Sequence, residues 1–311
     1  MRFACVGLLL LAGLSLLVGA AGFGMPDGAI LWELRIPRTG LALVVGAGLG
    51  LSGSVLQGAL RNPLADPGLL GIGGTAALGG VVAFYWGLSA AFAPALVAGG
   101  LFGAATGCAV LLALAGRAPS GPSVILGGIA VSALASALLA LALTLAPNPF
   151  ALAEIAFWLM GGLEDRTLTH LVIAGPIIVL GLAVLLRLGP ALDALSLGED
   201  TAASLGAPAS RTLLLAAVGV TLAIGPGAAV AGGIGFVGLV VPHLLRPWCG
   251  QAPGGLLRAS ALAGAGLLLA ADMLARTAPL VLPLQAEPRL GVLTALLGTP
   301  VLIALSRQVR P

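Results

Sequence analysis

Between Phe3 and Phe23 the chain reads FACVGLLLLAGLSLLVGAAGF, without one charged residue. A helix needs roughly 20 apolar residues to cross a hydrocarbon core about 30 Å thick, so this run is long enough to span. Comparable runs recur along the chain, among them ASALAGAGLLLAADMLARTAPLVL at 259–282. Only 8% of the 311 residues are charged and 59% are hydrophobic, where a soluble domain carries about a quarter charged. The strict alternation of a transmembrane β-strand is absent. These features specify an all-α polytopic membrane protein. The first run imitates a signal peptide, with Arg2 ahead of it and small residues near 18–20. No Cys follows LLAG and the run is long, so an uncleaved first helix is expected.

Turn residues and charges mark about ten spans, near 3–23, 39–60, 68–88, 91–115, 121–146, 168–188, 211–230, 232–247, 256–276 and 290–308. The eighth is short, Gly-rich and ends at VVPHLLRP, a pattern of a broken or re-entrant segment. An even number of spans puts both termini on one side. With both termini in the cytoplasm, Arg2, Arg61, Arg117, Arg187, Arg211, Arg246, Arg258, Arg307 and Arg310 lie inside, and Arg35, Arg38, Arg166, Arg276 and Arg289 lie outside. That nine-to-five bias fits the positive-inside rule. Spans two to five then begin outside and spans seven to ten inside, the arrangement of inverted four-helix repeats. GLLGIGGTAALG and GGIGFVGLVVPH, at the third and eighth spans, are a thin sequence echo of it. The 48 glycines let helix backbones approach closely and would also leave room for a path.

All 14 basic residues are Arg. Without Lys the chain cannot carry a Walker A loop or form a lysine Schiff base. Cys5, Cys108 and Cys249 are scattered and join only His170 and His243 as metal-ligand candidates, so no disulfide framework, metal site or cofactor is expected. The net charge of +3 fits membrane topology better than nucleic-acid binding.

Several polar stretches stand out against this apolar background. In SLGEDTAASLG, Ser196 and Glu199 match a capping box, Glu199 and Asp200 suit a helix N-terminus, and Gly206 followed by Pro208 ends the helix. A helix over about 197–205, roughly 13 Å long, cannot span. It is either a plain surface helix or a docking element. RNPLADPGLLG, with Asn62, Pro63, Asp66 and Pro67, reads as a rigid turn. In LWELRIPR, Arg35 and Arg38 either anchor at the interface with Trp32 or receive carboxylates of a soluble partner. Asp272 and Arg276 are spaced i,i+4 and pair on one helix face. A proton-relay role for Asp272 lacks a second acid in that run. His243 reads as a bonded helix-end residue.

Taken in order, RIPRTGLALVVGAGLGLSGSVLQGALRNPLADPGLLGIGGTAALG (35–79), FWLMGGL (157–163), LSLGEDTAASLGAP (195–208), GGIGFVGLVVPHLLR (232–246), LLAADMLAR (268–276) and GVLTALLGTPVLI (291–303) resemble the FecCD-type permease subunits of bacterial ABC importers for iron-siderophores, haem and cobalamin. The resemblance covers almost the whole chain and implies one permease domain of type II importer architecture in the inner membrane. It further implies a homodimer around a central path, two separate ATP-binding subunits and an extracytoplasmic binding protein, with lipid around the whole. By motif position, Leu197, Gly198, Glu199, Asp200, Ser204, Leu205 and Gly206 form the ATPase-coupling segment, within about 190–210. Arg35 and Arg276 face acidic residues of the binding protein. Asn62, Pro63, Asp66, Pro67, Gly235, Pro242, His243 and Asp272 belong to structural motifs. The implied cargo is a metal chelate, foremost a ferric siderophore, with haem or cobalamin as the alternative. Competing readings are an ion-gradient-driven secondary transporter and an intramembrane enzyme; the latter lacks any nucleophile–base pair. Two departures from the family pattern are visible. EPRLG at 287–291 replaces E-[LI]-P-[VI]-G and adds Arg289, and GGIGF replaces GPIGF.

Overall fold

The computed structural model describes residues 2–19, 22–85, 94–146, 148–250, 252–284 and 286–308. Residues 20–21, 86–88 and 91–93 of the expected first, third and fourth spans lie outside the described residues, as does Arg310. The helices are α1 (Arg2–Leu17), α2 (Gly28–Ala59), α3 (Ile72–Tyr85), α4 (Ala95–Ala115), α5 (Gly121–Thr144), α6 (Pro149–Leu159) and α7 (Leu168–Leu186), followed by α8 (Gly189–Ser196), α9 (Glu199–Ser204), α10 (Ala209–Ala231), α11 (Val237–Cys249), α12 (Pro253–Val281) and α13 (Leu290–Gln308). All ten expected spans have a helix.

Their limits shift for local reasons. The first helix stops at Leu17, well short of Phe23, where Val18–Gly19 and Gly22–Phe23 form a two-residue antiparallel pair and Gly22 takes φ +109. The second starts at Gly28, earlier than expected, because LWELR winds as a π turn and carries the helix into RIPR. Pro37 has no N–H to donate to Glu33, and the π turn lies where the ladder loses that bond. The helix of the eighth expected span, α11, has 13 residues, about 20 Å, and does not span by itself. Pro242 inside it frees the carbonyl of Gly238, which instead accepts from Gln57 Nε2 of α2 at 3.5 Å.

Lipid tails are as apolar as leucine, so helix association here rests on van der Waals contact rather than on a hydrophobic drive. Small residues make that contact close. A Cβ on Gly50 would strike Ser260 and Gly264 of α12, and one on Gly53 would strike the Gly238 carbonyl of α11. The most apolar windows of α2 and α10 are consequently 78% and 72% buried, whereas that of α5 is only 28% buried.

The packing has an internal two-fold logic. Exchanging α2–α5 with α10–α13 turns the contact of α2 with α12 into that of α10 with α4, and the contact of α3 with α4 into that of α11 with α12. It likewise interchanges α2–α11 with α10–α3, and α3–α5 with α11–α13. Each of these contacts is present. The glycine seams follow the same exchange, since Gly50 meets Gly264 on one side while Gly225 meets Ala104 and Gly100 meets Ala229 on the other. This is the packing that the four-helix repeat in the sequence predicts.

Candidate functional site

Arg38 lies about three turns into α2 and Arg61 just beyond its end, roughly 35 Å apart at 1.5 Å per residue, about the depth of a bilayer core. A charged cluster forms at each end.

At the first end, Asp272 of α12 is fully buried and accepts from two guanidinium groups: Arg276 Nη2 at 2.6 Å to Oδ2, and Arg38 Nε at 2.8 Å to Oδ1. Burying an unpaired charge is prohibitive, and the shared carboxylate neutralises both partners only in part. Glu287 supplies the rest by accepting from Arg38 Nη2 at 2.6 Å. Arg276, 3% exposed, also donates from Nη1 to the carbonyls of Ser15 and Val18 at 3.0 Å each, and from Nη2 to Ser15 Oγ at 2.6 Å. Arg35 donates from Nη1 to the Leu16 carbonyl at 2.6 Å, at the negative end of the α1 dipole. Both arginines expected to face a partner are thus folded onto α1. The i,i+4 pairing of Asp272 and Arg276 occurs as the spacing predicts.

A second pair joins the same region. Arg289 donates from Nη1 to Glu164 Oε2 at 2.6 Å, and its guanidinium carbon lies 5.3 Å from the centroid of the Phe157 ring. Burial pushes the Glu164 carboxyl above its ordinary range, and Arg289 opposes that shift. A cavity of about 460 Å³ opens between the two groups and is lined by Arg35, Arg38, Glu164, Arg166, Arg276 and Glu287 among others.

At the other end, SLGEDTAASLG folds as α9, but not through the expected capping box. Ser196 ends α8 by donating to the Asp193 carbonyl at 2.6 Å, and Gly198, at φ +110, is the N-cap of α9. A serine in the last turn of one helix cannot also cap the next. The C-terminus does follow expectation. Gly206 has φ +81, and the bonds Ala207 N to Ala202 O (2.8 Å) and Gly206 N to Ala203 O (3.0 Å) make a Schellman motif. Ser204 Oγ donates to the Asp200 carbonyl at 3.0 Å. Ala202 is buried against Ala194 and Leu195 of α8, while Leu197 and Leu205 are 66% and 65% exposed. Glu199 pairs with Arg61, both about half exposed. Asp193 Oδ1 accepts from Gly254 N at 2.7 Å, which ties α8 to the start of α12.

Between the two ends, a small cavity of about 110 Å³ lies where the two repeats meet. Asp66, Pro67 and Gly68 line it from the segment before α3, and Gly232–Gly235 from the segment before α11. Asn62 Oδ1 accepts from Leu64 N at 3.0 Å and Asp66 Oδ1 from Gly68 N at 2.8 Å, so the two acceptors are spent on the turns around Pro63 and Pro67 respectively. Pro242 is buried in α11. His243 is half-buried in mid-helix without a hydrogen-bond partner among the described residues, not the bonded helix-end residue expected. Arg38, Glu287 and Glu164 complete the first cluster; the sequence marks Arg38 and the EPRLG stretch but not Glu164 nor any of these pairings, because the partners lie 125 to 249 residues apart. The one local signal was the unusual Arg289.

A many-helix membrane bundle of two exchanged repeats, with a small internal cavity and an exposed acidic helix at one end, is a transporter's membrane subunit. The chain belongs to the FecCD transport family, whose pattern it matches over residues 8–308. It is 39% identical over 283 residues to the vitamin B12 import system permease protein BtuC of Klebsiella pneumoniae, covering 90% of this chain and 83% of that one. It is 38% identical over 292 residues to the cobalamin import system permease BtuC of Halobacterium salinarum (92% and 76% covered). It is 37% identical over 292 residues to the ABC transporter permease YvrB of Bacillus subtilis (90% and 80% covered). Among solved structures it resembles a metal-chelate type ABC transporter in an inward-facing conformation, with TM-score 0.87, 31% identity and 99% and 98% of the two chains covered. The chain is therefore a multi-pass membrane permease of the ABC type, with the type II importer fold.

Proposed function

We propose that this permease imports cobalamin or a related corrinoid, driven by ATP hydrolysis on separate subunits. The observation that carries the proposal is the likeness to cobalamin permeases of a bacterium and an archaeon over at least 90% of the chain. It favours cobalamin over the ferric siderophore foremost among the cargoes implied by motif resemblance. Two copies would face each other across the path. The α9 end would lie in the cytoplasm with both termini, and Leu197, Gly198, Glu199, Asp200, Ser204, Leu205 and Gly206 would meet an ATPase subunit. Exposed Leu197 and Leu205 beside an acidic pair suit such a contact. The Asp272 end would receive a binding protein whose carboxylates exchange with the internal partners of Arg35, Arg38 and Arg276. The movement is alternating access, in which ATP binding shifts α9 and the path opens to opposite sides in turn.

The test is uptake into vesicles that hold the permease, its ATPase and its binding protein, with labelled cobalamin and a labelled ferric siderophore offered separately. Cobalamin uptake that needs ATPase and ATP is expected. Siderophore uptake alone would move the cargo to the other branch of the family, and uptake persisting without ATPase would remove the ABC mechanism. A proton-driven carrier needs a free intramembrane acid, and Asp272 is bonded to two guanidinium groups.

A further inference from the structure

The EPRLG departure is unused by the function proposed above. Glu287 and Arg289 stand two residues apart on the connection between α12 and α13 and turn to different neighbours. Glu287 bonds Arg38 of α2, while Arg289 bonds Glu164, five residues past the end of α6, and covers the Phe157 ring of α6 within cation–π range. Beneath that second pair, three backbones converge. A Cβ on Gly291 would strike the carbonyls of Met160 and Gly233. Gly162 N donates to Ala231 O at 2.8 Å, and Gly233 N to Leu159 O at 3.3 Å. The C-terminal end of α6, the link before α11 and the first turn of α13 therefore share one junction.

The rest of α6 is held by little. Ile155 is its one buried residue, and Phe150 at the other end is 85% exposed. The orientation of α6 then depends on what grips its C-terminal end. The Arg289–Glu164 pair, 29% and 25% exposed, is wet enough to break and re-form readily. We propose that Arg289, Glu164 and Phe157 form a clasp that positions α6 against the start of α13, and that this clasp opens and closes during transport. The opening step rests on the importer reading above. The three residues act by positioning helices.

The experiment uses the full permease with Cys5, Cys108 and Cys249 replaced by Ala. Glu164→Cys and Arg289→Cys are joined by a bifunctional thiol reagent with a cleavable disulfide, in vesicles containing ATPase and binding protein. Uptake stopped by the linker and restored by reductant in the double-Cys permease, with the uptake of each single-Cys control unchanged by adding the linker, is the expected result. Uptake unchanged by the linker overturns the opening step. In parallel, nitroxides at Phe150→Cys on α6 and Leu296→Cys on α13 report the spacing of the two helices in nanodiscs without any transport assay. Arg289→Gln should raise the displaced population by up to about fivefold, the upper end for an ion pair that solvent still reaches. The charge swap Glu164→Arg with Arg289→Glu should restore the original distribution, which loss of folding would not do. An unchanged distribution in Arg289→Gln overturns the positioning role. If the cysteine-free permease with its partners carries no cargo at all, the importer reading falls while the nitroxide distances still decide the clasp.

Discussion

The two ends of α2 handle charge in opposite ways. At the Asp272 end a carboxylate with no solvent exposure is divided between Arg38 and Arg276, and Ser15, Val18 and Glu287 accept from further nitrogens of the two guanidinium groups, which leaves Arg276 Nε buried without a partner. At the α9 end Glu199 and Arg61 meet with about half of each side chain in solvent, and Asp200 is left on the first turn of a six-residue helix. A buried network holds helices in place, and each member is costly to remove because its partners stay behind unpaired. An exposed acidic helix contributes little to stability, which leaves its charges available to a second protein. The first arrangement builds the bundle, and the second is suited to a contact that must form and break.

The largest effect should come from Asp272→Ala. It strands two arginines in the bundle, and the cost of breaking a buried pair is about 3–5 kcal/mol. Thermal unfolding in detergent should show a strongly lowered midpoint or no folded permease. A midpoint like that of wild type would mean that Asp272 does not organise this end. Next, Glu199→Arg with Asp200→Arg should abolish ATP-driven uptake and ATPase association while shifting stability by no more than about 1 kcal/mol. If that double variant transports normally, α9 is a plain surface helix and the contrast between the ends loses its functional half. A smaller effect is expected of Arg61→Ala, up to about 1 kcal/mol in the unfolding midpoint. Joint reversal, Arg61→Glu with Glu199→Arg, separates the pair from the partner contact. Uptake kept in the reversed pair would assign Glu199 to Arg61 and leave Asp200 alone to face the ATPase.

What could be read beforehand follows the range of each interaction. The apolar runs mark every span, since crossing a bilayer is a local demand on about 20 residues. Asp272 with Arg276, and Gly206 ending α9, are also local, being fixed by i,i+4 spacing and by a left-handed glycine. Helix limits were less legible. RIPR lies inside α2 because a π turn accommodates Pro37, and Ser196 belongs to the last turn of α8, where its hydroxyl donates to the Asp193 carbonyl, so Gly198 and not Ser196 is the N-cap of α9. Arg38 with Asp272, Arg38 with Glu287 and Arg289 with Glu164 span more than a hundred residues each, and only the packing of the two repeats creates them. Arg276 is assigned to a partner by motif position; the sequence shows its helix neighbour Asp272 but not Ser15 and Val18, whose carbonyls accept from it in the fold.

The smallest effect tests how dry the Asp272 end is at its rim. Burial raises the folded pKa of Glu164, and Arg289 opposes it, with Arg38 helping Arg289 and with Glu287 and Asp165 adding to the rise. A carboxylate raised in the fold is better tolerated when ionised in the unfolded chain. By linkage its ionisation therefore subtracts stability as pH climbs from the unfolded value through the folded one, and lowering pH removes that penalty. Compared with Glu164→Gln, which does not titrate, wild type should gain on moving from about pH 7 to about pH 4, by less than about 1 kcal/mol. Arg289→Gln takes away the opposing charge and should steepen the same slope. The measurement is the unfolding midpoint of the three proteins across that range. If wild type instead loses stability relative to Glu164→Gln as pH falls, the attraction of Arg289 outweighs burial, and this rim behaves like the exposed pair at the α9 end rather than like the buried carboxylate of Asp272.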